Sequence, residues 1–242
     1  SYPKRLRLAR LPTPVQRLDR LSEELGVHLL VKRDDLTGMA LSGNKIRKLE
    51  FVLAEALARG ATAVITTGGV QSNHCRATAI AAVRLGLKPH LLLHTASGEL
   101  PAESDGNLLL DRLVGAPLRC ITTAEYGDSA AHLERWAAEL QAAGERPFTI
   151  PSGASTALGA LGYLAMVDEL AAQHAAGELP GGRLPDAIAH ACGSGGTAAG
   201  IALGVARQGW DCQVVSYAVC DDVGYFHQKV DRLVDEAAAE YA

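Results

Sequence analysis

The segment 41-LSGNKIRKLE-50 marks the point at which the chain becomes regular, and its reading decides what the rest can be. Lys45 follows Ser42-Gly43-Asn44 directly and stands at the start of a helical pattern, with Arg47 and Lys48 within one turn of it. Positive charge at a helix N-terminus opposes the dipole. A glycine and an asparagine beside such a lysine suit an anionic ligand that the lysine also reacts with. The plainer reading is a solvated surface lysine, the usual fate of that residue type. From these ten residues alone, both readings stand.

Working outward, the spacing predicts a helix from Lys45 to about Arg59 ending at Gly60, and a strand over Ala63 to Thr67 turning at Gly68-Gly69. It then predicts a helix over Asn73 to Leu85, a strand at Pro89 to Leu93, a helix near Asp105 to Val114 and a strand at Leu118 to Thr122. A helix near Ala130 to Ala143 and a strand at Pro147 to Ile150 follow, and Pro151 to Ser155 loops into a helix reaching Ala176. Beyond a Gly/Pro-rich connection at Gly177 to Pro185 come a strand at Ala187 to Ala191, a helix from Thr197 to Gln208, a strand at Gln213 to Val219 and a helix at Tyr225 to Ala239. Short strands alternating with helices longer than ten residues imply β-α-β units and parallel sheets. Apolar runs such as Ala63-Val64-Ile65 imply burial on both faces. Upstream, Leu11-Pro-Thr-Pro14 forces an extended segment, Val15 to Leu25 has helical spacing ended by Gly26, and Val27 to Lys32 alternates as a strand before the polar turn Arg33-Asp34-Asp35.

Composition narrows the function classes. The 242 residues are 48% hydrophobic and 21% charged, with a net charge of −4, so no basic excess points to nucleic acid or an anionic membrane. That length allows one large domain or two smaller ones. No apolar run is long enough to span a bilayer, and no signal-peptide pattern opens the sequence. Five scattered cysteines without a Cys-x-x-Cys read as reduced thiols and not as disulfides or a metal site. The expectation is a cytoplasmic protein. The sequence begins at Ser1 without a methionine, which reads as a processed or clipped N-terminus.

Three polar or glycine-rich turns fall where strands hand over to helices, the edge that binds ligands in open α/β sheets. Thr66-Thr-Gly-Gly-Val-Gln-Ser-Asn-His74 puts Ser72 and Asn73 at an N-cap, where free backbone N–H groups face the cleft; a simple capping role is the plain alternative. Ala191-Cys-Gly-Ser-Gly-Gly-Thr-Ala-Ala-Gly200 opens a helix with Gly193, Ser194, Gly195, Gly196 and Thr197, a concave set of N–H groups suited to phosphate. Its spacing also fits a dinucleotide fingerprint, with Asp221 placed as a ribose-binding acid, so a nicotinamide-dependent oxidoreductase stays open. Ile150-Pro-Ser-Gly-Ala-Ser155 could line the cleft or merely turn the chain.

Taken together, LPTPVQRLDRLSEELG, VKRDDLTG, LSGNKIRKLEFVLAEA, TTGGVQSNHCRATAIAA, PSGASTALGALGY and GSGGTAAG resemble, in order, the D-cysteine desulfhydrase and 1-aminocyclopropane-1-carboxylate deaminase family of fold-type-II pyridoxal-phosphate enzymes. The resemblance implies a tryptophan-synthase-β-like α/β fold with two three-layer α/β/α lobes and mainly parallel sheets. It implies a small lobe over 48–157 and a large lobe combining 1–47 with 158–242. By the same resemblance Lys45 forms the Schiff base with pyridoxal 5′-phosphate, Lys48 approaches the phosphate, and Gly193, Ser194, Gly195, Gly196 and Thr197 cradle it. Asn73 would bond the pyridine 3′-oxygen, and Ser72 would meet the substrate carboxylate or its leaving part. The lysine released by substrate is the natural base for the α-proton.

His74 and Ser155 to Tyr163 look more like the desulfhydrase side, whereas the deaminase side tends to carry glutamine after the asparagine. The expected reaction is therefore β-elimination from a small amino acid such as D-cysteine, giving pyruvate, ammonia and sulfide, with His74 assisting proton transfer; packing is the other reading of His74. Deamination of 1-aminocyclopropane-1-carboxylate is the alternative. The resemblance also implies a homodimer in amino acid metabolism, with no nucleic-acid or membrane partner and no metal. Family members continue beyond Ala242, so it further implies a large lobe incomplete on its C-terminal side, and a catalytically weak or inactive relative is a third reading.

Overall fold

The computed structural model describes residues 2–241; Ser1 and Ala242, the outer ends of the expected large lobe, lie outside the described residues. In the N-terminal segment the Leu6, Leu8 and Ala9 N–H groups donate to Glu50, and a cis Leu11–Pro12 peptide precedes strand β1 (Val15–Arg17). Helical spacing predicted a helix across this strand. Instead Val15–Arg17 pairs antiparallel with β2 (Leu30–Lys32), and the helix is confined to α1 (Asp19–Leu25). The partner strand wins locally because Arg33 N–H also donates to Pro14 O at 2.9 Å, closing the ladder at an end that cannot continue through proline. Gly26 caps α1 in the left-handed conformation, its N–H donating to Ser22 O.

From Lys45 the β-α alternation follows the sequence pattern closely. Helix α2 (Lys45–Ala58) leads to β3 (Ala63–Gly69), α3 (Asn73–Arg84), β4 (Lys88–Thr95), α4 (Gly106–Leu113), β5 (Leu118–Thr122), α5 (Ser129–Ala142) and β6 (Pro147–Ile150). The four strands form one all-parallel sheet in the order β5-β4-β3-β6, with Val64 opposite Pro89 and Phe148. Central β3 is buried along nearly its whole length, as an apolar strand covered on both faces must be. Helix α6 (Ala157–Ala175) follows, then β7 (Ala187–Cys192), α7 (Gly196–Gln208), β8 (Gln213–Ala218) and α8 (Val223–Tyr241). Strands β7 and β8 pair in parallel as a second sheet.

Helix α2 joins the two halves. Ile46, Leu49 and Leu53, at helical spacing and wholly buried, pack with Val64, Ala77, Ile80 and Ile150 of the four-stranded sheet and its helices. On another side Phe51 packs against Leu161 and Leu164 of α6. The approach of α6 is backbone to backbone, for a β-carbon on Gly162 would lie 2.5 Å from the Arg47 carbonyl group. The next layer repeats the device, since a β-carbon on Gly200 of α7 would lie 2.1 Å from Ala160 O. Small residues thus bring α2, α6 and α7 close enough for the start of α7 to face the first turn of α2.

Candidate active site

Lys45 is the first residue of α2, and its half-buried side chain emerges beside the loop Gly43-Asn44. Burial lowers its ammonium below the ordinary lysine value, partly offset by the Cys192 thiol. That shift favours the neutral amine a nucleophile or base requires. Asn44 accepts a hydrogen bond from Asn73 Nδ2 at 3.1 Å, and a β-carbon on Gly43 would come within 3.6 Å of the same nitrogen. The first turns of α2 and α3 therefore meet at this asparagine pair. Behind it, the buried Arg76 of α3 donates to Ala40 O at 2.6 Å and Ser42 O at 3.0 Å, tying down the loop that delivers Lys45.

Lys48, one turn further along α2, is only 1% exposed. Its Nζ donates to Gly153 O at 3.3 Å, and no carboxylate pairs with it among the described residues. Burial, reinforced by the neighbouring Lys45 charge, pushes its ammonium well down. A buried ammonium with one long contact to a carbonyl is an expensive arrangement. What faces it is the start of α7, where a β-carbon on Gly196 would sit 3.0 Å from Lys48 Nζ and 2.8 Å from Ser155 Oγ. Ser155 Oγ donates to Ser194 Oγ at 2.8 Å and accepts from Gly196 N–H at 3.2 Å. The loop at 150–155, whose part was open in the sequence, thus lines the same recess as Gly193 to Thr197. Gly153, at φ +69, leaves room for Ser194 where a β-carbon would come within 2.3 Å of its hydroxyl oxygen.

The turn after β3 supplies the other wall. Ser72 caps α3, its hydroxyl accepting from Cys75 N–H at 3.2 Å, and Asn73 is exposed to the cleft side. Gln71 turns away to the base of α4, donating to Asp105 Oδ1 at 2.7 Å and accepting from Asn107 N–H at 2.9 Å. His74 is buried at 2% exposure, with Nε2 2.7 Å from Thr66 Oγ1 and Nδ1 without a partner among the described residues. Burial and the charges of Lys45 and Lys48 hold its ring well below the usual histidine range, so it is neutral near pH 7. The structure therefore brings together Lys45, Lys48, Asn73, His74 and the Gly193 loop. Arg47 separates from them and runs instead to the carboxylates Asp34 and Glu169. Thr66, Ser155 and Arg76 are the members that the sequence reading did not single out. Ser155 and Thr66 had a signal, their places in strand-to-helix turns, whereas Arg76 had only its place in the segment starting at Thr66.

The recess fits a phosphate on one side and a reactive lysine on the other. Its helix-start N–H groups and orphaned ammonium call for an anion, and the lysine with a lowered pKa lies one turn away. The chain as a whole is similar to known proteins. Residues 6–240 match the family described as Pyridoxal-phosphate dependent enzyme. The chain is 45% identical over 234 residues to the mitochondrial bifunctional D-cysteine desulfhydrase/1-aminocyclopropane-1-carboxylate deaminase of Arabidopsis thaliana, covering 94% of this chain and 57% of that protein. It is 39% identical over 240 residues to D-cysteine desulfhydrase of Salmonella choleraesuis, covering 98% of this chain and 71% of that one. A crystal structure described as an ACC deaminase homologue superposes with a TM-score of 0.86 at 37% identity, over 98% of this chain and 69% of the other. The chain thus spans little more than half the length of the plant relative and about 70% of the other two.

Proposed function

The chain belongs to the family of pyridoxal-phosphate dependent enzymes, with the fold-type-II architecture, and from that membership we propose that it is a lyase eliminating the β-substituent of a small amino acid. D-cysteine is the substrate the reading favours, giving pyruvate, ammonia and sulfide. The observation that carries the proposal is Lys48, a buried ammonium facing the Gly196 helix start with no carboxylate partner, one turn from Lys45. The same observation weighs against a dinucleotide on this loop, because a fixed lysine behind the glycines neutralises a compact phosphate.

When bound, pyridoxal phosphate supplies an electron sink for the pair left as a bond to the substrate's α-carbon breaks. Lys45 would hold the cofactor's aldehyde carbon and afterwards take the α-proton at Nζ. Lys48 and the N–H groups from Gly193 to Thr197, with the Ser194 hydroxyl, would hold the phosphate. Asn73, fixed by Asn44, would bond the ring's 3′-oxygen, and the Ser72 hydroxyl proton is available to a substrate carboxylate. His74 would assist proton transfer beside Lys45.

The proposed lobes, 48–157 and 1–47 with 158–242, are supported by the four-stranded sheet lying wholly within the first range and β7–β8 within the second. No helix among the described residues is long and apolar enough to cross a membrane. A cytoplasmic homodimer with no nucleic-acid partner is the assembly we propose, resting on the unexceptional net charge and the family resemblance. The test is a panel of D- and L-amino acids with 1-aminocyclopropane-1-carboxylate, assayed for keto acid and ammonia in the presence of pyridoxal phosphate. D-cysteine turning over fastest supports the proposal, and turnover of the cyclopropane substrate alone replaces elimination with deamination. Tight nicotinamide binding without a cofactor absorbance band would refute both.

A further inference from the structure

Thr66, in the middle of β3, is wholly buried and makes two short contacts through one hydroxyl group. Its Oγ1 donates to Ile150 O at 2.7 Å, across the β3–β6 pairing, and lies 2.7 Å from His74 Nε2. A hydroxyl has one proton and a carbonyl oxygen has none to give. With that proton committed to Ile150, the contact to His74 can only be an Nε2–H donating to Thr66 Oγ1. A neutral imidazole carries a single N–H, so Nδ1 is left as a bare lone pair. That nitrogen is the one with no partner, buried, in a ring on which Lys45 and Lys48 are the charges that act.

We infer that Thr66 is a positioning residue: held by the Ile150 carbonyl, it locks His74 as the Nε2–H tautomer and leaves the buried Nδ1 as the ring's acceptor. This deepens the role proposed for His74, and its kinetic consequence rests on that reading; the tautomer itself does not. In the resting protein His74 accepts a hydrogen bond or a proton at Nδ1 and cannot donate one there. A group that meets it must bring a proton, as the amine or ammonium of Lys45 or the thiol of a sulfur-bearing substrate does. A proton taken at Nδ1 leaves an imidazolium whose other proton stays on Nε2, donated to Thr66 Oγ1, and returning the Nδ1 proton restores the starting tautomer.

The test is nitrogen NMR on protein with 15N-labelled histidine, the His74 signals being assigned by their loss in His74→Gln. The expected wild-type spectrum has a pyridine-like Nδ1 and a pyrrole-like Nε2 at His74. Thr66→Ser, which keeps the hydroxyl, retains that pattern, and Thr66→Val, which keeps the shape, loses it. In the elimination assay Thr66→Val lowers kcat by about a hundredfold, the lower end of what a positioned proton acceptor contributes, with KM little changed and Thr66→Ser restoring the rate. A pyrrole-like Nδ1 in the wild type overturns the inference, as does an unchanged pattern in Thr66→Val. If Thr66→Val does not fold, the wild-type and Thr66→Ser spectra still decide. Normal spectra in a protein that eliminates nothing from any substrate would leave the lock standing and remove the proposed function.

Discussion

Lys48 shows how much one side chain can determine. A lysine at 1% exposure with a single 3.3 Å contact keeps its charge only if something negative completes its surroundings. Lys48→Met, which keeps the volume and removes the charge, should weaken pyridoxal-phosphate binding by about tenfold to a hundredfold, the range of a hydrogen bond to a charged group. Titration of the cofactor's absorbance measures this, and unchanged affinity would move the phosphate elsewhere. Asp111 on α4 makes a second residue-scale prediction. Among the described residues neither of its buried oxygens has a partner, and burial, opposed in part by Arg76, pushes its carboxyl up to about 7. Below about pH 4, the ordinary value for aspartate, folded and unfolded chains both hold the proton. Between there and pH 7 only the folded chain does, so raising the pH through this window removes stability. Urea midpoints of wild type and Asp111→Asn should therefore converge at low pH and diverge in the variant's favour toward neutrality. Parallel curves would contradict the buried, unpartnered carboxyl.

At the scale of elements, strands and helices from Lys45 onward were legible because each apolar run is short, bounded by glycine and followed by a helical period. Val15–Arg17 was not, since a three-residue strand pairs through backbone groups that leave no mark on side-chain spacing. Arg47 and Lys48 read as one basic pair awaiting one anion. The fold sends them apart, Arg47 to Asp34 and Glu169 at 2.8 and 3.0 Å and Lys48 to the glycine loop. No local pattern reveals that division, because Glu169 is more than a hundred residues away in the chain. The part played by Thr66 was hidden for a similar reason, as its partners arrive from α3 and β6. The close approach of α6 to α2 depends on Gly162, and overpacking a buried contact costs about 1–3 kcal/mol. Gly162→Ala should lower the unfolding free energy by that amount and loosen cofactor binding together with it. A variant as stable as wild type would show that α2 and α6 do not touch where Gly162 places them.

Across the whole molecule, the N-terminal segment, α2 and α6 are fastened by a buried polar cluster. Arg47 bonds Asp34, Glu169 and Thr13, Lys32 reaches Glu169 and Gln173, and Tyr163 donates to Asp34 Oδ2 at 2.8 Å. Arg47→Met would strand two carboxylates in the interior, and breaking a buried pair on one side costs about 3–5 kcal/mol. Calorimetry should find the variant unfolding well below wild type, and equal thermal stability would mean that water already screens the cluster. This fastening holds α2 against the second half of the chain, so that Lys45 faces one wall of the cleft and Lys48 the other. The central claim is that division of labour. Borohydride reduction of the protein equilibrated with pyridoxal phosphate, followed by peptide mapping, tests it most directly. The account predicts a single cofactor adduct on Lys45, also formed in Lys48→Met at higher cofactor concentration. An adduct on Lys48, or one that survives in Lys45→Ala, would contradict it.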